Sequence, residues 1–171
     1  MLQIYIGDGK GKTTAAVGLS IRCAGSGRRV LFTQLLKDNT SSEINVLKNV
    51  TGIEFLANTP IEKFYFLMSE EEKLETKRIM LDSLSNVIEE VIREPYDMLV
   101  IDEALTAYQL GLLNKERFLT FLVDKKDEIE IVLTGREASE ELIVLADYVS
   151  EIKKIKHPYD HKLPARKGIE Y

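Results

Sequence analysis

Gly7-Asp8-Gly9-Lys10-Gly11-Lys12-Thr13-Thr14 is a run suited to holding a chain of phosphates. It follows a short apolar segment, Leu2–Ile6, and opens an alanine-rich one that reaches about Ala24. At a strand-to-helix junction, glycines let the backbone curl until successive N–H groups point at one anion, and the helix N-terminus adds partial positive charge. On this reading Gly7, Asp8, Gly9, Lys10, Gly11 and Thr14 shape the cradle for ATP. Lys12 reaches a terminal phosphate, and the Thr13 hydroxyl ligates Mg2+. A glycine-rich turn that binds nothing is the bland alternative, and Gly-Lys-Thr at this junction argues against it. The common spacing needs a glycine at position 6, where this chain has Ile6, so only three residues separate Gly7 from Gly11. A loop one residue shorter cradles fewer phosphate oxygens or holds the triphosphate in another pose.

Two further clusters end apolar runs. Met98-Leu99-Val100-Ile101 stops at Asp102-Glu103, and a carboxylate there, beside a phosphate loop, can hold magnesium directly or through its waters. Solvated acids at a strand end are the ordinary alternative, and the motif alone does not choose between the two residues. Ile129 to Leu133 stops at Thr134-Gly135-Arg136, whose guanidinium can bind phosphate oxygens and offset charge on a leaving polyphosphate. A surface arginine at the sheet end fits Arg136 equally well. Arg22, about three turns into the first helix, is a further nucleotide-binding candidate, with a salt bridge as its plain alternative. His157 and His161 are four apart, but Pro158 excludes a regular helix presenting both and no third ligand is evident. A segment closing over the site suits them better than a metal centre.

These groups need a scaffold. A first helix from about Lys12 to Ala24 ends at Gly25-Ser26-Gly27, and the apolar run 30–36 reads as a strand covered on both faces. A polar stretch, Lys37 to Glu43, leads to a short helical segment and a third strand around 53–56. Residues 57–68 read as an irregular loop carrying Phe64, Tyr65 and Phe66. Ser69 with Glu72 is a capping box opening a long helix, along which Leu74, Leu81, Leu84, Ile88 and Val91 recur. Asn114 caps the next helix, and a helix near 138–146 and a strand near 147–152 complete the pattern. Strands alternating with helices imply a parallel sheet with helices on both faces, and ligands at the strands' carboxyl ends.

The 171 residues suit one domain that buries roughly 70% of its unfolded surface. A formal net charge of −5 argues against nucleic acid or an anionic membrane as main partner, although residues 151–171 carry +3 of their own. Cys23 is the only cysteine, which leaves no disulfide framework and suits a buried thiol. No signal sequence or membrane span is visible, so the expected location is cytoplasmic.

Taken in order, Gly-Asp-Gly-Lys-Gly-Lys-Thr-Thr-Ala-Ala-Val-Gly, Val-Ile-Asp-Glu, Leu-Thr-Gly-Arg, Leu-Ala-Asp-Tyr-Val-Ser-Glu-Ile and the closing Lys-His-Pro-Tyr-Asp…Lys-Gly-Ile-Glu-Tyr resemble the P-loop ATP:corrinoid adenosyltransferases. The resemblance spans nearly the whole chain, and the shortened loop belongs to it. It implies an α/β, three-layer P-loop NTPase-like (RecA-like) fold with a mainly parallel central sheet. It also implies transfer of the 5′-deoxyadenosyl group of ATP to a Co(I) corrinoid, with release of tripolyphosphate. Lys12 and Arg136 then serve the leaving group. Thr13 with Glu103 or Asp102 holds Mg2+, and the family favours the glutamate as the metal-facing member. A flavodoxin-like reductant and a homodimer are further implications. Family members carry a Gly-Phe-Thr-Trp-like segment after the third strand, whereas this chain has no tryptophan and reads Asn58 to Phe66 there. Phe64 and Phe66 are the candidates for the corrin-facing surface, with ordinary core aromatics as the alternative. Rival functions are a P-loop ATPase or switch whose Glu103 orients water, and a binding homologue without transferase activity.

Overall fold

In the computed structural model, which describes residues 1–170, six strands form one sheet: β1 (Leu2–Ile6), β2 (Val30–Gln34), β3 (Ile53–Leu56), β4 (Met98–Asp102), β5 (Glu130–Thr134) and β6 (Tyr148–Glu151). Their order is β3-β2-β4-β5-β1-β6, and every neighbouring pair is parallel. Every residue of β2 and β4 is buried, as near-continuous apolar runs in a doubly covered sheet should be. Alternation along the strands divides the core into two layers. Val30, Phe32, Met98, Val100 and Val132 pack with Ala16, Cys23 and Ala24 of α1 (Lys12–Gly25) and Leu47 of α2 (Ser42–Leu47). Leu31, Leu99, Ile101, Ile131 and Leu133 face the opposite layer. That layer is built from α3 (Glu70–Arg93), α4 (Ala104–Gln109), α5 (Lys115–Lys125) and α6 (Glu140–Leu145). Three layers result, as the sequence pattern and resemblance imply. No helix is long and apolar enough to cross a membrane among the described residues.

Local signals set the helix starts. Ser69 Oγ accepts from the Glu72 N–H, and the Glu72 carboxylate accepts from the Ser69 N–H at 2.6 Å, which completes the expected capping box. The Asn114 side chain accepts from the Arg117 N–H at 3.0 Å and opens α5. One expectation fails: Leu74 is 70% exposed, and the buried stripe of α3 runs instead through Thr76, Met80, Leu84, Val87 and Val91. Stepping back from Leu84 to Leu74 turns roughly 80° around a straight helix, enough to leave the stripe. Residues 65–67 of the aromatic loop form a single 3-10 turn. Helix α4 has no counterpart in the sequence reading.

The sheet register creates the site. Gln34 stands opposite Asp102 across β2 and β4, and Ile101 stands opposite Leu133 across β4 and β5. The last residues of β2, β4 and β5 therefore meet at one edge, beside the loop into which Ile6 feeds.

Candidate active site

The phosphate loop is anchored from below before it meets any ligand. The Gly7 N–H donates to the Arg136 carbonyl at 2.8 Å, and the Gly9 N–H donates to the Ile152 carbonyl at 2.8 Å. These two glycines are needed because strand β6 leaves the sheet against them. A Cβ on Gly7, whose φ is +118°, would lie 2.2 Å from the Ile152 carbonyl oxygen, and one on Gly9 would lie 2.7 Å from it. With those two amides committed to protein carbonyls, neither Gly7 nor Gly9 presents its N–H to an anion, against the sequence expectation. Gly11 caps α1 without a side-chain bond, so the first amides of the helix, at Lys12, Thr13 and Thr14, lack an intrahelical acceptor and suit an anion. A Gly7→Ala substitution should lower unfolding stability by at least about 3 kcal/mol, through strain and the clash together. Urea denaturation measures it, and a loss below about 1 kcal/mol would mean the loop tolerates a side chain at this approach.

Lys12 folds back over its own loop. Its Nζ donates to the Gly7 carbonyl at 2.6 Å and to the Gly9 carbonyl at 2.9 Å, which leaves one of its three donors for a phosphate. Burial lowers its basicity, with Arg136 adding to the effect, while Glu103, Asp102 and Asp8 oppose it. An ammonium already partly shielded from water has less hydration left to lose on meeting an anion.

Asp102 is fully buried and accepts from four side chains. Thr13 Oγ1 (2.9 Å) and Thr134 Oγ1 (2.6 Å) reach Oδ1, while Lys37 Nζ (2.7 Å) and Gln34 Nε2 (3.1 Å) reach Oδ2. A Thr13 hydroxyl that donates its hydrogen bond to Asp102 turns its lone pairs away from the carboxylate, the orientation a cation ligand needs. Burial works against the Lys37 ammonium. The charge and hydrogen bond of Asp102, with Glu43 and Glu103, outweigh that and hold Lys37 above the ordinary lysine value. Glu103 differs from its neighbour. It sits in the left-handed region (φ 61°) as the N-cap of α4, accepts from Thr106 Oγ1 at 2.6 Å, and lines a cavity with Lys12 and Arg136. Thr13 and Glu103 thus offer a hydroxyl and a carboxylate, hard oxygen donors of the kind magnesium takes.

Two cavities flank the loop. One, of about 560 Å³, is lined by the loop, Glu103, Arg136 and the tail residues His157, Tyr159 and Arg166. The other, of about 780 Å³, lies on the β2 side and is lined by Lys37, Glu43, Ile61, Lys63 and Phe64. Lys10, Thr13, Thr14, Ile169 and Glu170 border both. The Arg136 guanidinium forms no ion pair among the described residues, so it faces the smaller cavity uncommitted. The tail closes that cavity as the sequence suggests. Asp8 Oδ1 accepts from the Lys154 N–H at 2.9 Å, which holds the Asp8 carboxyl below the usual carboxylate range. Arg166, with some help from Lys10, brings Glu170 down to about 2. His157 spends Nδ1 on the Tyr159 N–H within the 3-10 turn Pro158–His161.

Phe64 and Phe66 are not core residues. They are 71% and 78% exposed and stack on each other, with centroids 5.6 Å apart and planes 15° from parallel. Arg22 is exposed in the last turn of α1 and borders neither cavity, so the structure does not bring it to the loop. Sequence reasoning missed Lys37, Gln34 and Thr134, all of which hold Asp102.

A sequence model of the family described as ATP:corrinoid adenosyltransferase BtuR/CobO/CobP matches residues 1–171. The corrinoid adenosyltransferase of Pseudomonas aeruginosa is 30% identical over all of this chain and 83% of its own length. That of Escherichia coli is 28% identical over all of this chain and 85% of its own length, and the Salmonella typhimurium corrinoid adenosyltransferase CobA is 28% identical with the same coverage. Among solved structures, domain III of the Thermotoga maritima replication initiation protein DnaA covers 88% of this chain and 53% of that chain. It does so at 19% identity and a TM-score of 0.37, a likeness too slight to bear on function. A short phosphate loop, a carboxylate pair at the end of β4, an uncommitted arginine at the end of β5 and a full-length family match agree, and the chain belongs to the ATP:corrinoid adenosyltransferase family.

Proposed function

We infer that the two cavities seat the two substrates of one transfer. The observation behind this is that Lys10, Thr13 and Thr14 border both, so a triphosphate on the loop lies next to whatever fills the larger space. The Co(I) of a reduced corrinoid supplies an electron pair to the ribose C5′. That pair becomes the cobalt–carbon bond, the C5′–O bond breaks, and tripolyphosphate departs with the C5′–O bonding pair on its oxygen. The metal nucleophile carries no proton, so the protein needs no general base. Its work is to align the reactants and to offset charge growing on the leaving oxygen. Lys12 and Arg136 meet that charge, and the helix amides at residues 12–14 hold the chain in line. Magnesium, held by Thr13 and Glu103, supplies further charge neutralisation when bound.

Asp102 orients Thr13, while Glu103, with fewer donors on its carboxylate, is the member free to face the cation. Glu103→Gln should therefore weaken the apparent magnesium affinity more than Asp102→Asn does. A magnesium titration of turnover that ranks the two variants the other way would reverse the assignment. Phe64, at the mouth of the larger cavity, and Phe66 beside it offer an apolar face to the corrin. A flavodoxin-like reductant, a homodimeric state and a cytoplasmic location complete the proposal.

The test is spectroscopic. Protein, ATP, magnesium and chemically reduced cobalamin should give a light-sensitive alkylcobalamin whose photolysis restores the unalkylated spectrum. Consumption of ATP without any alkylcobalamin would favour the ATPase or switch reading. Binding of both substrates without turnover would favour a carrier.

A further inference from the structure

Lys37 has no part in the scheme above, yet it makes the charged contact that seals Asp102. Its backbone lies three residues past β2, where the Ile61 N–H donates to the Lys37 carbonyl at 3.0 Å, and the Leu35 N–H just upstream donates to the Asp102 carbonyl at 2.9 Å. The ammonium lies 2.7 Å from Asp102 Oδ2, with Lys37 24% exposed and Asp102 not at all. A carboxylate offers about four lone-pair sites, and the four donors here fill them. A divalent cation on Thr13 that shared the Asp102 charge would meet Lys37 as a like-charged rival. The other donors have nowhere to go. Gln34 and Thr134 are buried, and Thr13 is fixed at the helix start. Lys37 is long and charged, and it lines the larger cavity together with Lys10, Thr13 and Thr14. Gln34 Oε1 is buried with no hydrogen-bond partner among the described residues, so the cluster holds an open acceptor beside Asp102.

We propose that Lys37 is a placeholder cation: it neutralises Asp102 in the nucleotide-free protein, gives way when nucleotide brings magnesium to Thr13, and then moves its ammonium onto the phosphate chain. This rests on the magnesium reading above. It makes Lys37 a positioning residue before nucleotide binds and a phosphate ligand afterwards. It also ties metal binding to nucleotide binding, because metal alone must displace a bonded ammonium that has no phosphate to receive it.

The probe is Mn(II), whose free form is read by electron paramagnetic resonance, titrated into nucleotide-free protein. Lys37→Met should bind Mn(II) about tenfold more tightly than wild type, since the rival charge is gone. Lys37→Arg keeps that charge and should stay near wild type. In the Asp102→Asn/Lys37→Met double variant the gain should vanish. With ATP present, Lys37→Met should raise KM for ATP by about tenfold while changing kcat much less, the mark of lost uniform binding. Lys37→Gln repeats the titration if the Met variant folds poorly. Mn(II) affinity in both neutral variants equal to or weaker than wild type would overturn the proposal. So would a gain that survives loss of the Asp102 charge. Failure of the wild-type protein to alkylate cobalamin would sink the functional reading and leave these titrations unmoved, so the two can fail separately.

Discussion

Lys12→Ala should lower kcat/KM for ATP at least about a thousandfold, the equivalent of about 4 kcal/mol of transition-state stabilisation. The ammonium is held over the loop by the Gly7 and Gly9 carbonyls, and its remaining donor has a phosphate as natural acceptor. The fold should survive. Lys12 packs against loop backbone and has no place in either core layer, so the substitution frees two carbonyls for water at a cost of about 1 kcal/mol. Steady-state kinetics and a thermal melt separate the two effects. A variant retaining half of wild-type turnover at saturating ATP would show that Lys12 shapes the loop without touching the phosphates.

The second large effect concerns the exposed phenylalanine stack. Reduction of a Co(II) corrinoid to Co(I) is difficult while a lower axial ligand donates electron density to the metal. An apolar face that takes the ligand's place makes it easier. Phe64→Ala and Phe66→Ala should therefore cut activity about a hundredfold or more when a mild protein reductant supplies the electron. Both should stay near wild type when Co(I) is generated chemically beforehand. Side chains this exposed contribute little to the core, so stability should change by less than about 1 kcal/mol. Equal losses in both assays would assign the pair to the nucleotide site, and no loss in either would put the corrin-facing surface elsewhere.

Local chemistry was legible in the sequence, and long-range chemistry was not. The strand-to-helix junction at residues 7–14, the capping box of Ser69 and Glu72, and the cap at Asn114 each depend on residues a few positions apart, and each is present in the structure. Arg136 and the carboxylate pair could be placed because apolar runs end just before them. Lys37 could not. It opens a polar stretch that reads as linker, and its partner lies 65 positions away, beside it only because β2 neighbours β4 in the sheet. Gln34 and Thr134 were hidden for the same reason. Gly7 and Gly9 are read from the sequence as part of the anion cradle, but their N–H groups go to the Arg136 and Ile152 carbonyls, and what requires glycine there is the close approach of the chain leaving β6, a contact about 145 positions away that no local pattern shows. Helix α4 is six residues long and starts from a left-handed Glu103, so it offers neither the length nor the side-chain cap by which helices are recognised. The aromatic loop was ambiguous because phenylalanine is usually buried, and only exposure separates a core aromatic from a binding surface.

The fate of the three phosphates tests the central claim most directly. An ordinary P-loop enzyme breaks the bond between the β- and γ-phosphates, whereas attack at the ribose C5′ leaves the phosphate chain whole. Phosphorus NMR of a completed reaction with ATP, magnesium and Co(I) cobalamin should show intact tripolyphosphate in equal amount to the adenosylcobalamin formed, and no ADP. ADP and free phosphate appearing with turnover would contradict the account.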